Sequence, residues 1–165
     1  FPMSVIPTFV IFAKFYQHLM VVFAIFVILQ FTGSSVTIQI LQLPYYMFAS
    51  ISLMVSISLI TSTLSTIVRD IQMMIQAVMR VLFYLTPILW PISMFENHKW
   101  IQTLIILNPL NYVVEGYRSS LLGDPSWFAI NHVQYTIYFW AVVIIFFIIG
   151  SLVHVKFRDR FVDFL

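Results

Sequence analysis

Four stretches of this chain, residues 8–31, 45–68, 71–92 and 133–155, run apolar for the length that a membrane demands. About 20 consecutive apolar residues in a helix cross a hydrocarbon layer of about 30 Å. In lipid every backbone polar group needs an internal partner, which restricts spanning segments to helices and closed barrels. A barrel would show short segments of alternating polarity, and these runs are apolar on every face. Charged residues make up 8% of the chain and hydrophobic ones 61%, where soluble domains carry about a quarter charged. The fold class is therefore all-α: a polytopic helical membrane protein with four transmembrane helices.

The polar residues between the runs set the order of the elements. Pro2 and Pro7 predict an extended lead-in over residues 1–7, since proline removes a backbone donor and disfavours helix just before it. Without an initiator Met or a signal peptide, the chain reads as the later part of a longer protein. Lys14 and His18 fall in the first turns of the first span, where a lysine stem snorkels to the headgroups. His18, like His98 and His132, reads as an isolated, solvated residue near an interface. Thr32-Gly33-Ser34-Ser35 closes that span, and Gln39, Gln42 and Pro44 predict a polar, broken connection to the second.

The second span carries Ser52 and Ser56, then Ser58, Ser62 and Thr66, at four-residue spacing. Such a stripe serves close helix packing or a hydrophilic translocation wall, and the two are compatible. Arg69-Asp70 separates this span from the third. A charge is costly at the bilayer centre, so the pair belongs at an interface or in a protein-lined cavity. Arg80 stands about 15 Å further along a helix. Residues 71–76 either continue the span or lie along the membrane surface, with the crossing starting nearer Arg80. Pro87 and Pro91 are expected to kink its far end.

Residues 96–122 fit neither a span nor an ordinary loop. The apolar core at 101–107 is too short to cross, and Asn108-Pro109 breaks it from an amphipathic helix over 110–122. Glu115 and Arg118 stand at i, i+3 on that helix, and Gly123 supplies its stop. Two short helices between spans predict a re-entrant hairpin, tolerated at membrane depth only where protein buries it or it lines a cavity. After the last span, Lys156, Arg158 and Arg160 cluster within one turn of the membrane, which puts the C-terminus in the cytoplasm. Counting back places Lys14 and Arg69-Asp70 inside and residues 96–131 outside. Trp90, Trp100, Trp127 and Trp140 then form a belt near the outer face.

Chemistry is sparse. There are no cysteines, and the four glycines make no phosphate-cradling G-x-x-x-x-G-K-[ST] loop, so no ATPase of its own is expected in this region. No His/Glu cluster has metal-ligand spacing, no serine sits in a nucleophile elbow, and nothing points to nucleic acid. His154 and Asp159 have the H-x-x-x-x-D spacing of glycerolipid acyltransferases, and a basic membrane-exit tail explains the same residues.

Four short motifs stand in order: Thr66-Ile67-Val68-Arg69-Asp70, Tyr84-Leu85-Thr86-Pro87-Ile88-Leu89-Trp90-Pro91, Leu107-Asn108-Pro109-Leu110, and Glu115-Gly116-Tyr117-Arg118-Ser119-Ser120-Leu121-Leu122-Gly123. Together they resemble the ABC-2 family of exporter permeases, most of all those that export teichoic acid, with O-antigen and capsule permeases next and drug exporters in the same family. The resemblance implies the last four of six transmembrane helices of a bacterial plasma-membrane subunit. It implies a homodimer, a separate ATP-binding subunit that holds the ATP and magnesium, and a lipid-linked polymer as substrate. Arg69, Asp70, Ile71 and Gln72 would couple to that ATPase. Glu96, Lys99, Asn108, Pro109, Glu115 and Arg118 would belong to an outer gate. Arg80, Tyr84, Trp90 and Tyr117 are candidates for the substrate path: the aromatics to stack on sugars or simply to pack, Arg80 to meet a lipid diphosphate or to pair with Asp70.

Overall fold

The computed structural model describes residues 5–32, 38–67, 70–88, 99–122 and 127–157, and these form helices joined by short turns. Helix α1 is Val5–Phe31, and Ile38–Gln42 is a 3-10 turn that runs into α2, Leu43–Ile67. Then follow α3 (Asp70–Leu85), α4 (Lys99–Leu107), α5 (Pro109–Leu122), the single turn α6 (Phe128–Asn131) and α7 (Val133–Phe157). The chain is an all-α membrane protein. Among the described residues three segments are long and apolar enough to cross a bilayer: Phe9–Phe31, Ile38–Ser65 and Val133–Lys156.

The third apolar run behaves differently. Its helix stops at Leu85 after 16 residues, about 24 Å of rise, which is short of the hydrocarbon thickness. Thr86 and Pro87 follow in a turn, so Pro87 lies beyond the helix end rather than at a kink within it. Residues 71–76 are continuous with the rest of α3.

Helix α2 is the centre of the molecule. It packs on α1, α3 and α5, and most extensively along α7. The hydroxyl stripe makes that last contact close. Ser56 and Thr63, seven residues apart on one face, are fully buried. Their hydroxyls donate to the carbonyls of Ser52 at 2.7 Å and Leu59 at 3.0 Å, so each polar group is satisfied within its own helix. On the facing side Gly150 leaves no room for a side chain: a Cβ there would lie 2.9 Å from Leu59 Cβ and 3.2 Å from the Ile60 backbone nitrogen. On this face of α2 the hydroxyl residues Ser56 and Thr63 thus serve packing within this chain.

Two connections differ from what polarity alone suggests. The segment before α2 is no open loop, because Gln39 and Gln42 are buried against α5 through the 3-10 turn. The turn α6, too short to show periodicity, starts a corner that His132 closes by donating its amide to the Phe128 carbonyl at 3.0 Å. The core gathers where α2, α5 and α7 meet, around Tyr46, Leu53, Tyr112, Phe139 and Val143.

Candidate functional site at the α4–α5 helix pair

Asn108 organises the corner between the two short helices. Its Oδ1 accepts from the Leu110 amide at 3.0 Å, which satisfies one of the orphan donors that begin α5. Pro109 fills the first position of α5, where the missing N–H costs nothing. The Asn108 amide nitrogen donates to Thr86 Oγ1 at 2.8 Å, and both residues are buried. At nine residues, about 14 Å, α4 is too short to cross a bilayer. Its last carbonyl, of Leu107, accepts from Tyr138 Oη at 2.8 Å, so the corner rests beside the second turn of α7.

The first half of α5 is bonded to the wall behind it. Asn111 Nδ2 donates to Tyr135 Oη at 3.1 Å. The Tyr112 ring stacks on Phe139 with centroids 4.5 Å apart. A chain of hydroxyls crosses the junction. Trp140 Nε1 donates to Tyr45 Oη at 2.8 Å, Tyr45 and Tyr112 meet at 3.1 Å, Tyr112 and Thr136 at 3.0 Å, and Thr136 Oγ1 donates to the Ala129 carbonyl at 3.0 Å. An indole can only donate and a carbonyl only accept, so every proton in the chain points the same way. Such chains strengthen cooperatively in a low-dielectric interior.

The opposite side of α5 borders a void. A cavity of about 360 Å³ lies between α5, α1, α2 and the end of α3. Leu53, Met79, Phe83 and Val113 supply apolar wall, and His18, Ser50, Thr86 and Tyr117 the polar groups. His18 Nε2 and Tyr117 Oη are 2.9 Å apart, with the rings edge-on. This overturns the solvated reading of His18. Helix α1 begins earlier than the apolar run suggests, which carries His18 deeper, to a hydroxyl 99 residues away in sequence.

The second half of α5 is tied to α3. Arg118 Nη1 pairs with Glu115 Oε1 at 2.6 Å, at the spacing the sequence suggests, and Arg118 Nη2 donates to the Pro87 carbonyl at 2.8 Å. Thr86 and Pro87, consecutive residues past the end of α3, therefore hold α5 at two points, Asn108 and Arg118. No pattern in the sequence announces either tie, because one partner is a backbone carbonyl and the other a common threonine.

The other residues singled out by sequence are spread along the molecule. Asp70 opens α3, exposed, with its carboxylate at the positive end of the helix dipole. Ile71 is half-buried and Gln72 exposed. Arg80 is exposed, reaches back to the Gln76 carbonyl at 3.4 Å and forms no ion pair with Asp70, since the two stand about 15 Å apart on one helix. Tyr84 and Lys99 are exposed, whereas Tyr117 faces the cavity. Arg69, Trp90, Pro91 and Glu96 lie outside the described residues, as does Asp159. His154 Nδ1 stands 3.3 Å from Thr63 Oγ1, in the contact between α7 and α2. Among the described residues no three acidic, His or Cys side chains come together as a metal site.

A family model described as "ABC-2 type transporter" matches residues 1–122, which takes in α1 to α5 and about three quarters of the 165-residue chain. No curated protein matches the chain.

Proposed function

This chain belongs to the ABC-2 type transporter family and is a membrane permease of an ABC exporter; from that premise we propose that it moves a lipid-linked cell-surface polymer, teichoic acid first among the candidates. In this reading two copies form the pore across a bacterial plasma membrane. A separate ABC subunit binds and hydrolyses ATP at the cytoplasmic face, where the end of α2, Arg69-Asp70 and the C-terminus lie. The spans are α1, α2, α7 and the run that begins with α3, and the α4–α5 pair closes the outer end.

The observation that carries this reading is α3. It begins at the exposed Asp70 and ends in the Thr86-Pro87 turn that grips both ends of α5. Among its described residues none is buried, so little packing holds it in place. A push at Asp70 travels along a rigid rod to the Asn108 and Arg118 contacts. Closure of the ATPase dimer on ATP supplies that push, and α5 is the part that moves. The cavity beside α5, lined by His18 and Tyr117, then lies on the path of the cargo.

Affinity purification of the full-length protein in mild detergent, followed by an ATPase assay, tests the reading. A stoichiometric ATPase subunit whose activity weakens when Arg69 or Asp70 is replaced is the expected result. A solitary, inactive but well-inserted protein would overturn it. Stimulation of the same ATPase by lipid-linked teichoic acid, over O-antigen or capsule precursors and drugs, tests the cargo.

A further inference from the structure

The cavity beside α5 has a wall whose polar side chains already have partners. His18 Nε2 and Tyr117 Oη hold each other at 2.9 Å. Ser50 Oγ donates to the Met47 carbonyl at 2.8 Å. Thr86 Oγ1 donates to the Leu82 carbonyl at 2.7 Å and accepts from the Asn108 amide. Among the described residues the wall carries no charged side chain, and no buried polar atom left without a partner belongs to it. The rest of the lining is apolar, with Leu53, Met54, Met79, Phe83 and Val113 among its members.

That chemistry narrows the occupant. A buried water needs about two to four polar partners. A glycan needs more, and an anionic headgroup needs a cation. Hydrocarbon needs none of these. Depth points the same way: His18 stands near the middle of Phe9–Phe31 and Leu53 near the middle of Ile38–Ser65, at the level of the hydrocarbon layer. Met54, Met79 and Phe83 line the cavity and are also exposed, so it opens between α2 and α3. In a bilayer, acyl chains bathe those side chains.

The size fits as well. A dry apolar cavity of about 150 Å³ takes one benzene ring, so this one of about 360 Å³ takes roughly a dozen carbons. Left empty, it would deprive its lining of dispersion partners on one side. Lipid tails are as apolar as leucine, so packing alone draws a chain in. Met54 and Met79, unbranched and flexible, mould to an irregular guest.

We infer that the cavity between α1, α2, α3 and α5 is a lipid site, occupied in the resting molecule by one acyl chain of a bilayer phospholipid that enters between α2 and α3. The site needs neither cargo nor ATPase, so it stands or falls apart from the exporter reading. In it Tyr117 packs its ring on hydrocarbon while His18 keeps its hydroxyl.

The test uses the full-length protein in vesicles of phosphatidylglycerol and phosphatidylcholine that carry a phospholipid with a diazirine midway along one acyl chain. Irradiation followed by peptide mass spectrometry locates the adducts. Leu53 and Val113 are buried and line the cavity, Phe139 is buried elsewhere, and Leu152 is exposed on α7. Adducts are expected at Leu53 and Val113 as well as at Leu152, with Phe139 clean. Val114→Trp puts an indole into the cavity and lowers the adducts at Leu53 and Val113 by about tenfold or more. The Leu152 adduct persists in that variant, which shows that it is inserted. Adducts at Leu152 without those at Leu53 and Val113 would overturn the site. Loss of the cavity adducts on adding a little polyprenyl phosphate, but not on adding as much unlabelled phospholipid, would give the cavity to the cargo's tail and overturn the phospholipid. A second measurement follows Tm as phospholipid is returned to delipidated protein in detergent. The unsubstituted protein gains roughly 2–4 °C more than Val114→Trp, and equal gains would sink the inference.

Discussion

The α2–α7 pair and α3 are built from similar residues and do opposite work. Along α2 and α7, small residues let the backbones close, the hydroxyls are spent on their own helix, and Tyr46, Leu53, Phe139 and Val143 fill the core. Helix α3 is nearly as apolar, yet none of its described residues is buried, and its firm ties are the two polar ones just past its end. The difference separates frame from linkage. Apolar packing gives a contact many weak partners and makes it hard to move. In the exporter reading, a helix with no buried residue and two hydrogen bonds just past one end moves as a unit and carries those bonds with it.

That contrast is open to five substitutions. The largest stability loss is expected from Gly150→Leu, which drives a side chain into the Leu59–Ile60 backbone of the frame. It costs about 1–3 kcal/mol, read as a lower Tm and poor yield, and a neutral result would mean that α2 and α7 are not the frame. Next comes Thr86→Val, which leaves the buried Asn108 amide nitrogen without its acceptor at the α3–α5 corner. Its cost is about 1–2 kcal/mol in chemical denaturation, within the range for an orphaned buried donor. Arg118→Met should hardly change Tm, because its partner pair is partly exposed, at 36% and 20%, and is worth at most about 1 kcal/mol. Transport per ATP hydrolysed should nevertheless fall by about tenfold if the Pro87 tie conveys motion, a coupling in the usual 1–3 kcal/mol range. Smallest in stability are Asp70→Asn and Arg80→Gln, both at exposed sites on α3. Asp70→Asn is read in the partner's ATPase activity, and Arg80→Gln in export of the lipid-linked polymer with membrane insertion intact. Unchanged export in Arg80→Gln would remove that residue from phosphate recognition.

The sequence speaks clearly wherever a local pattern decides the structure. Apolar runs gave the class and three of the helices, Asn108-Pro109 the corner, and the i, i+3 spacing the Glu115–Arg118 pair. It is silent where partners are far apart and ordinary. Nothing near Arg118 points to a carbonyl 31 residues back, nor anything near His18 to Tyr117. Gln39 and Gln42 mislead for the opposite reason. Polar residues beside a proline suggest an exposed connection, and only tertiary packing on α5 shows them buried. In the third run the helix stops at Leu85, ahead of the Thr86-Pro87 turn, because proline disfavours a helical residue before it and hydropathy does not register that.

The hydroxyls of α2 have a consequence for how the chain is made. The contacts that join α2 to α7 link residues as far apart as Tyr45 and Trp140, 95 positions along the chain, or Thr63 and His154, 91 positions. A ribosome delivers α2 long before α7 exists, so α2 must wait in lipid with its serines and threonines uncovered. Ser52, Ser56, Thr63 and Ser65 each turn back to a carbonyl four residues earlier, which lets them wait without a neighbour. The hydroxyl face that later admits α7 is thus also what makes the unassembled helix tolerable to the bilayer, and the frame made by α2 and α7 closes only when α7 arrives.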